Sequence, residues 1–172
     1  VELGELANEW RGFKFWSEDQ EPRTNEPIEC KICEGWGSET DPLGICMSSD
    51  KCESCNGTGF IGSRNPLLEE YVDCLHFILS IGLELGIKRD IFPGPIKYYD
   101  AVTQFNELFG QITYLANVLS WDDDWEEVES EYERVWSLFF GLGSILGFNW
   151  KEIEQAYFDK NKVNHERQEN GY

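Results

Sequence analysis

Asn65-Pro66-Leu67-Leu68-Glu69-Glu70-Tyr71-Val72-Asp73-Cys74-Leu75-His76-Phe77 opens with an asparagine that can cap a helix and a proline suited to the first helical position. The periodicity that follows predicts a helix to about Gly86. On a helical wheel, residues 68–85 leave an arc of roughly 220° apolar or uncharged, wider than a surface helix needs. That arc predicts a mostly buried helix with Asp73 on a narrow polar stripe. A carboxylate placed there wants a cation.

The rest of the chain reads the same way. Val1 to about Trp10 predicts a helix with Leu3, Leu6, Ala7 and Trp10 on one face, followed by the aromatic block Phe13-Lys14-Phe15-Trp16 and a polar connector to Pro27. Pro93-Gly94-Pro95 breaks the chain. Helices are expected over 98–119, over 125–146 behind the cap Asp122-Asp123-Asp124 and closed by Gly147, and from Trp150 to about Gln168 behind Asn149. Residues 30–60 are rich in Cys and Gly and carry no helical pattern, allowing at most a hairpin. The expected architecture is all-α: a helical bundle of residues 1–29 and 61–172 with a small module inserted at 30–60.

The chain has 172 residues, 41% apolar and 15% aromatic, enough for a substantial core. No apolar stretch is long enough for a membrane span, and no signal-peptide pattern is visible at the start. Helical periodicity is already running at Val1, so residues upstream of it are expected. With 14 Lys+Arg against 33 Asp+Glu, the net charge of −19 repels nucleic-acid backbones and anionic membranes. A phosphorylated substrate would need divalent cations to bridge the like charges.

Cys30-Lys-Ile-Cys33-Glu-Gly35-Trp-Gly37 and Cys52-Glu-Ser-Cys55-Asn-Gly57-Thr-Gly59 are two copies of one motif, with 18 residues between the pairs. Each offers two thiolates, and the glycines permit the turn that aims backbone amides at sulfur. Together they predict one closed, structural four-thiolate zinc site in a reducing cytoplasm, rather than a disulfide framework. The glycine spacing resembles the Cys-rich zinc module of DnaJ-type chaperones. Cys46 reads as a bystander that could replace a ligand, and Cys74 as core. The module could stiffen a loop or bind a protein partner.

Glu2 and Glu5 share a face of the first helix, as Glu70 and Asp73 do on the second. Packed side by side, the helices would bring four carboxylates together, which divalent cations would hold ionised. The bland alternative is two solvated acidic faces. Near the C-terminus, Lys160, Asn164 and Arg167 fall on one stripe with Asn161 and Gln168 alongside, either a phosphate grip or a solvated helix end.

Val1-Glu-Leu-Gly-Glu-Leu-Ala-Asn-Glu-Trp10, Phe13-Lys-Phe-Trp16, Leu68–Phe77 and the closing Tyr157–Tyr172 together resemble the dimeric all-α dUTPase family of phages, some bacteria and trypanosomatids, within the MazG-like nucleoside triphosphate pyrophosphohydrolases. The resemblance implies catalytic Mg²⁺ held by Glu2, Glu5, Glu70 and Asp73, and a metal-activated water that cleaves dUTP to dUMP and pyrophosphate. It implies phosphate contacts from Lys160, Asn161, Asn164 and Arg167, with Trp16 and His76 near the uracil, where the bland alternative makes both core residues. Lys14 either reaches a phosphate or is solvated. The resemblance further implies a homodimer and a place in the cytoplasm of a bacterium or phage-infected cell. The upstream helix whose polar residues contact the nucleoside in that family is not in this sequence. Rival readings are a relative preferring dCTP or another nucleotide, and a non-catalytic protein that binds a partner through its zinc knuckle.

Overall fold

The computed structural model describes residues 1–40, 46–87, 94–121 and 124–171, so Pro93, Asp122, Asp123 and Tyr172 lie outside the described residues, as does the side chain of Cys46. The described chain forms α1 (Glu2–Trp10), β1 (Glu26–Glu29), β2 (Ser38–Thr40), β3 (Cys46–Lys51), β4 (Phe60–Arg64), α2 (Pro66–Glu84), α3 (Ala101–Trp121), α4 (Trp125–Ile145) and α5 (Trp150–Glu169). It divides into two compact units, one of Val1–Pro22 with Leu67–Tyr172 and one of Arg23–Pro66. No helix among the described residues is long and apolar enough to cross a membrane.

Local chemistry sets the helix ends in the larger unit. Asn149 accepts from the Glu152 amide at 3.1 Å while Glu152 accepts from the Asn149 amide at 3.2 Å, a reciprocal capping box that starts α5. The Asp124 carboxylate accepts from the Glu126 and Glu127 amides and starts α4. The third helix begins at Ala101, later than the expected residue 98, because the Asp100 carboxylate accepts from the Thr103 amide at 2.8 Å. Upstream, Ile96 and Tyr98 are held by buried Gln104, which donates to Ile96 O at 2.9 Å and Leu138 O at 2.7 Å and accepts from the Tyr98 amide at 2.8 Å. Those bonds satisfy backbone groups that a helix would otherwise have paired.

The core of this unit joins α1 through α5. Leu3 and Leu6 meet Tyr71, Leu75 and Ile78, with Phe105 and Leu108, Phe139 and Leu142, and Ile153 completing it. Tyr71 stacks on Phe139 at 4.2 Å and donates to Phe139 O at 3.1 Å, which satisfies its buried hydroxyl. α2 is less enclosed than its apolar arc predicts: Phe77, Ile81 and Leu83 are 56%, 42% and 80% exposed. Phe77 and Ile81 instead line an open apolar groove of about 340 Å³ with Val1, Leu108, Ile112 and Leu115. The arc is wide because α2 has two apolar duties, one toward the core and one toward this groove.

The smaller unit holds two two-stranded antiparallel sheets, β1 with β4 and β2 with β3, more strand than a single hairpin. β1 and β4 pair outside the cysteines, with Glu26 opposite Arg64 and their side chains ion-paired at 2.9 Å.

Candidate functional site

Glu2 and Glu5 project from the first turns of α1, where the positive helix end favours acids. Glu70 projects from α2, and one carboxylate oxygen from each of Glu2, Glu5 and Glu70 lies within 4.8 Å of the others. Glu70 Oε2 is buried without a hydrogen-bond partner. An orphaned buried oxygen among anions is unfavourable unless a cation joins it, and hard divalent ions take such ligands. The residues present therefore fit a divalent cation. Burial first, then the charges of Asp73 and Glu5, push the Glu70 carboxyl up to about 7. The neighbouring Cys74 thiol is raised to about 12, mainly by burial, and behaves as core.

A raised carboxyl makes the folded chain bind more protons than the unfolded one between about pH 4.5 and pH 7. Without divalent cations, stability is expected to fall as pH rises through that window. Added Mg²⁺ should reverse the trend by favouring the ionised form. Urea midpoints measured at pH 5 and pH 8, in wild type and Glu70→Gln, check this. An unchanged pH slope in the variant would remove Glu70 as its source.

Asp73, one turn beyond Glu70, faces α5: Lys160 Nζ lies 2.7 Å from Asp73 Oδ2. Asp73, His76 and Ser80 on α2 face Asn161, Asn164, His165 and Gln168 on α5 across a polar cavity of about 300 Å³. The His76 ring stacks on Tyr157 at 4.2 Å, and its Nε2 is buried without a hydrogen-bond partner. Burial holds its pKa below the usual histidine value, which favours neutral imidazole.

Other expected site residues stand apart from this cavity. Arg167 is exposed on α5 and does not line it. Lys14 donates to Asn8 Oδ1 at 2.6 Å. Trp16 is 67% exposed, with edge contacts to Phe13 and Phe15, so the core alternative does not hold for it. Its loop is folded back by buried Arg11, which adopts a left-handed conformation (φ 63°) after α1 and donates to Asp19 O at 2.9 and 3.1 Å. Sequence reasoning missed Ser80, although continuing the stripe from Asp73 through His76 reaches it. Tyr157 gave no signal beyond its place in the closing block, because its partner is distant in sequence.

In the smaller unit, Cys30, Cys33, Cys52 and Cys55 are buried and placed so that together they could hold a metal ion. The two knuckles mirror each other. The Cys30 amide donates to Gly59 O at 2.8 Å and the Cys52 amide to Gly37 O at 2.9 Å, while the Gly37 and Gly59 amides point at Cys33 and Cys55 Sγ, each at 3.3 Å. A Cβ at Gly37 would strike Gly57 O, and one at Gly59 would strike Gly35 O, so these positions admit glycine alone. The Cys33 amide pulls the Cys30 thiol down, whereas burial pushes the Cys33 thiol up to about 11, so the four sulfurs do not ionise alike without a cation among them.

In the helical unit acids approach from two helices, and a lysine and amides face them from a third, an arrangement suited to anionic, phosphate-bearing ligands. A family model described as dUTPase matches residues 1–31 and 61–172, passing over residues 32–60 with three of the four paired cysteines, and the chain belongs to that family. It is accordingly a dUTP diphosphatase, which hydrolyses dUTP to dUMP and pyrophosphate. No curated protein and no solved structure matches the chain.

Proposed function

We propose that this dUTP diphosphatase is Mg²⁺-dependent, with Glu2, Glu5, Glu70 and Asp73 as the ligands. The observation that carries the reading is the mutual approach of three glutamates around the partnerless Oε2 of Glu70. When bound, the cations neutralise phosphate charge and lower the pKa of the attacking water. The chain's own side chains do the rest. The carboxylates fix the cation positions, and Lys160, Asn161 and Asn164 offer donors to the triphosphate. Arg167, exposed on the same helix, adds a charge able to fold over the phosphates. His76, held flat against Tyr157, turns an imidazole nitrogen toward the nucleoside, and Trp16 offers an exposed ring for stacking on uracil. Lys14, partly covered beside Asn8, reaches the phosphates only by leaving that contact.

Two further parts belong to this reading. The open apolar groove of α2 and α3, with exposed Phe77, Ile81 and Ile112, supports a homodimer closing over it. The four cysteines hold one structural Zn²⁺, in a module whose exposed Ile32 and Trp36 are free to meet a protein partner.

Pyrophosphate release from dUTP, dCTP and dTTP, with and without Mg²⁺, tests the proposal. Turnover of dUTP that vanishes without a divalent cation is the expected result. Preference for dCTP would move the specificity to that nucleotide, and turnover in chelator would overturn the carboxylate role.

A further inference from the structure

The Lys160–Asp73 pair places two parts of the site in competition. Asp73 lies one turn from Glu70 on α2, but the carboxylates that already approach one another are those of Glu2, Glu5 and Glu70. The Asp73 oxygen is engaged by the Lys160 ammonium at 2.7 Å, and the two side chains are 21% and 30% exposed. Asp73 Oδ2 is held by that ammonium, and a divalent cation drawn to the same carboxylate would sit close to a second positive charge, so each weakens the other's hold on Asp73. We infer that Lys160 and the divalent cation exchange at Asp73, so that cation binding releases the lysine toward the substrate's phosphates. This rests on the proposed role of the four carboxylates.

The residue type suits the exchange. A lysine ends in a compact point charge on a flexible stem and can change partner at little cost, whereas an arginine fork would hold a carboxylate by two bonds. Its neighbour on the same face, Asn164, lines the polar cavity beside Asp73, so a short swing brings the ammonium to the mouth of that cavity. α5 is also loosely anchored, since Ile153 is its buried residue and the Lys160–Asp73 pair and the His76–Tyr157 stack join its later turns to α2. Exchange at Asp73 thus couples cation binding to the helix that carries the phosphate donors. Coupling of this kind is reciprocal, so the lysine opposes the cation as much as the cation displaces the lysine.

Mn²⁺ binding to the full chain without nucleotide, followed by electron paramagnetic resonance with Glu70→Gln as the baseline, reads this directly. Lys160→Met should tighten Mn²⁺ by about five- to tenfold, the lower part of the usual coupling range. Arg167→Gln, which removes an equal charge from the same helix, should change it by less than about twofold because the charge is solvent-screened. Lys160→Arg, keeping the charge and the pair, should not tighten it. In an Asp73→Asn background, Lys160→Met should lose its effect, and that non-additivity is the signature of direct exchange. Unchanged affinity in Lys160→Met, or equal tightening in both backgrounds, would overturn the exchange while leaving the carboxylate site standing. Wild-type binding no stronger than the Glu70→Gln baseline would overturn both.

Discussion

Glu70→Gln and Asp73→Asn each lower dUTP turnover by about 10²–10³-fold, the size expected when one preorganised electrostatic contact to the transition state is lost. Both substitutions keep shape and remove charge, so the loss should fall on kcat, with the helical circular dichroism of the chain preserved. The mechanisms differ. Glu70, like Glu2, is partly buried in the glutamate cluster, and its Oε2 has no hydrogen-bond partner. An amide there offers one neutral oxygen where a cation needs an anionic one. Glu70→Gln should also stabilise the chain above pH 7 in the absence of divalent cations, because it removes a carboxyl that burial and like charge disfavour in its ionised form. Asp73→Asn instead leaves Lys160 without its charged partner. Steady-state kinetics of pyrophosphate release, with urea unfolding on the same samples, separates lost catalysis from lost stability. Wild-type rates in both variants would dismiss the acidic site.

Cys52→Ser, or removal of the metal by a strong chelator, should unfold Arg23–Pro66 while the helical unit keeps its cooperative transition. The reason lies in what is buried. Among the described residues the buried cluster of the smaller unit is the four cysteines, and the strands β1 and β4 add no buried side chain. Structural zinc sites contribute on the order of 10 kcal/mol to such domains, far more than two short two-stranded sheets can supply. The larger unit has its own separate core around Tyr71, Phe139 and Leu142. Elemental analysis should give one zinc per wild-type chain and less than one in the variant, with protease cleavage appearing within residues 23–66. A Cys52→Ser chain that retains a full zinc and resists protease would refute the four-thiolate site.

The helices were legible wherever a local signal marked them. Asn149 with Glu152, Asp124 before Trp125, and Pro66 after Asn65 each fix a helix start through groups a few residues apart. The start of α3 was misplaced by three residues because Gln104, buried against Leu138 of another helix, holds residues 96–98 out of helical form. Legibility in the site follows the same line. The i, i+3 spacing puts Glu2 with Glu5 and Glu70 with Asp73, whereas nothing in either helix says which of the four acids close on one another. Trp16 was ambiguous in sequence because an aromatic block suits a core as well as a surface, and its exposure depends on the turn that Arg11 ties to Asp19.

Sequence by itself determined the helical elements, the mirrored cysteine knuckles and the charge that makes a bare phosphate an unwelcome guest. Each of those depends on neighbours within one or two turns, or on composition alone. Tertiary structure decided that Asp73 belongs to Lys160, that His76 lies against Tyr157, and that part of the apolar face of α2 looks outward. Those outcomes depend on which helices meet and at what rotation, a choice made by the packing of Leu3, Tyr71, Phe139 and Ile153 together and by no local stretch of chain.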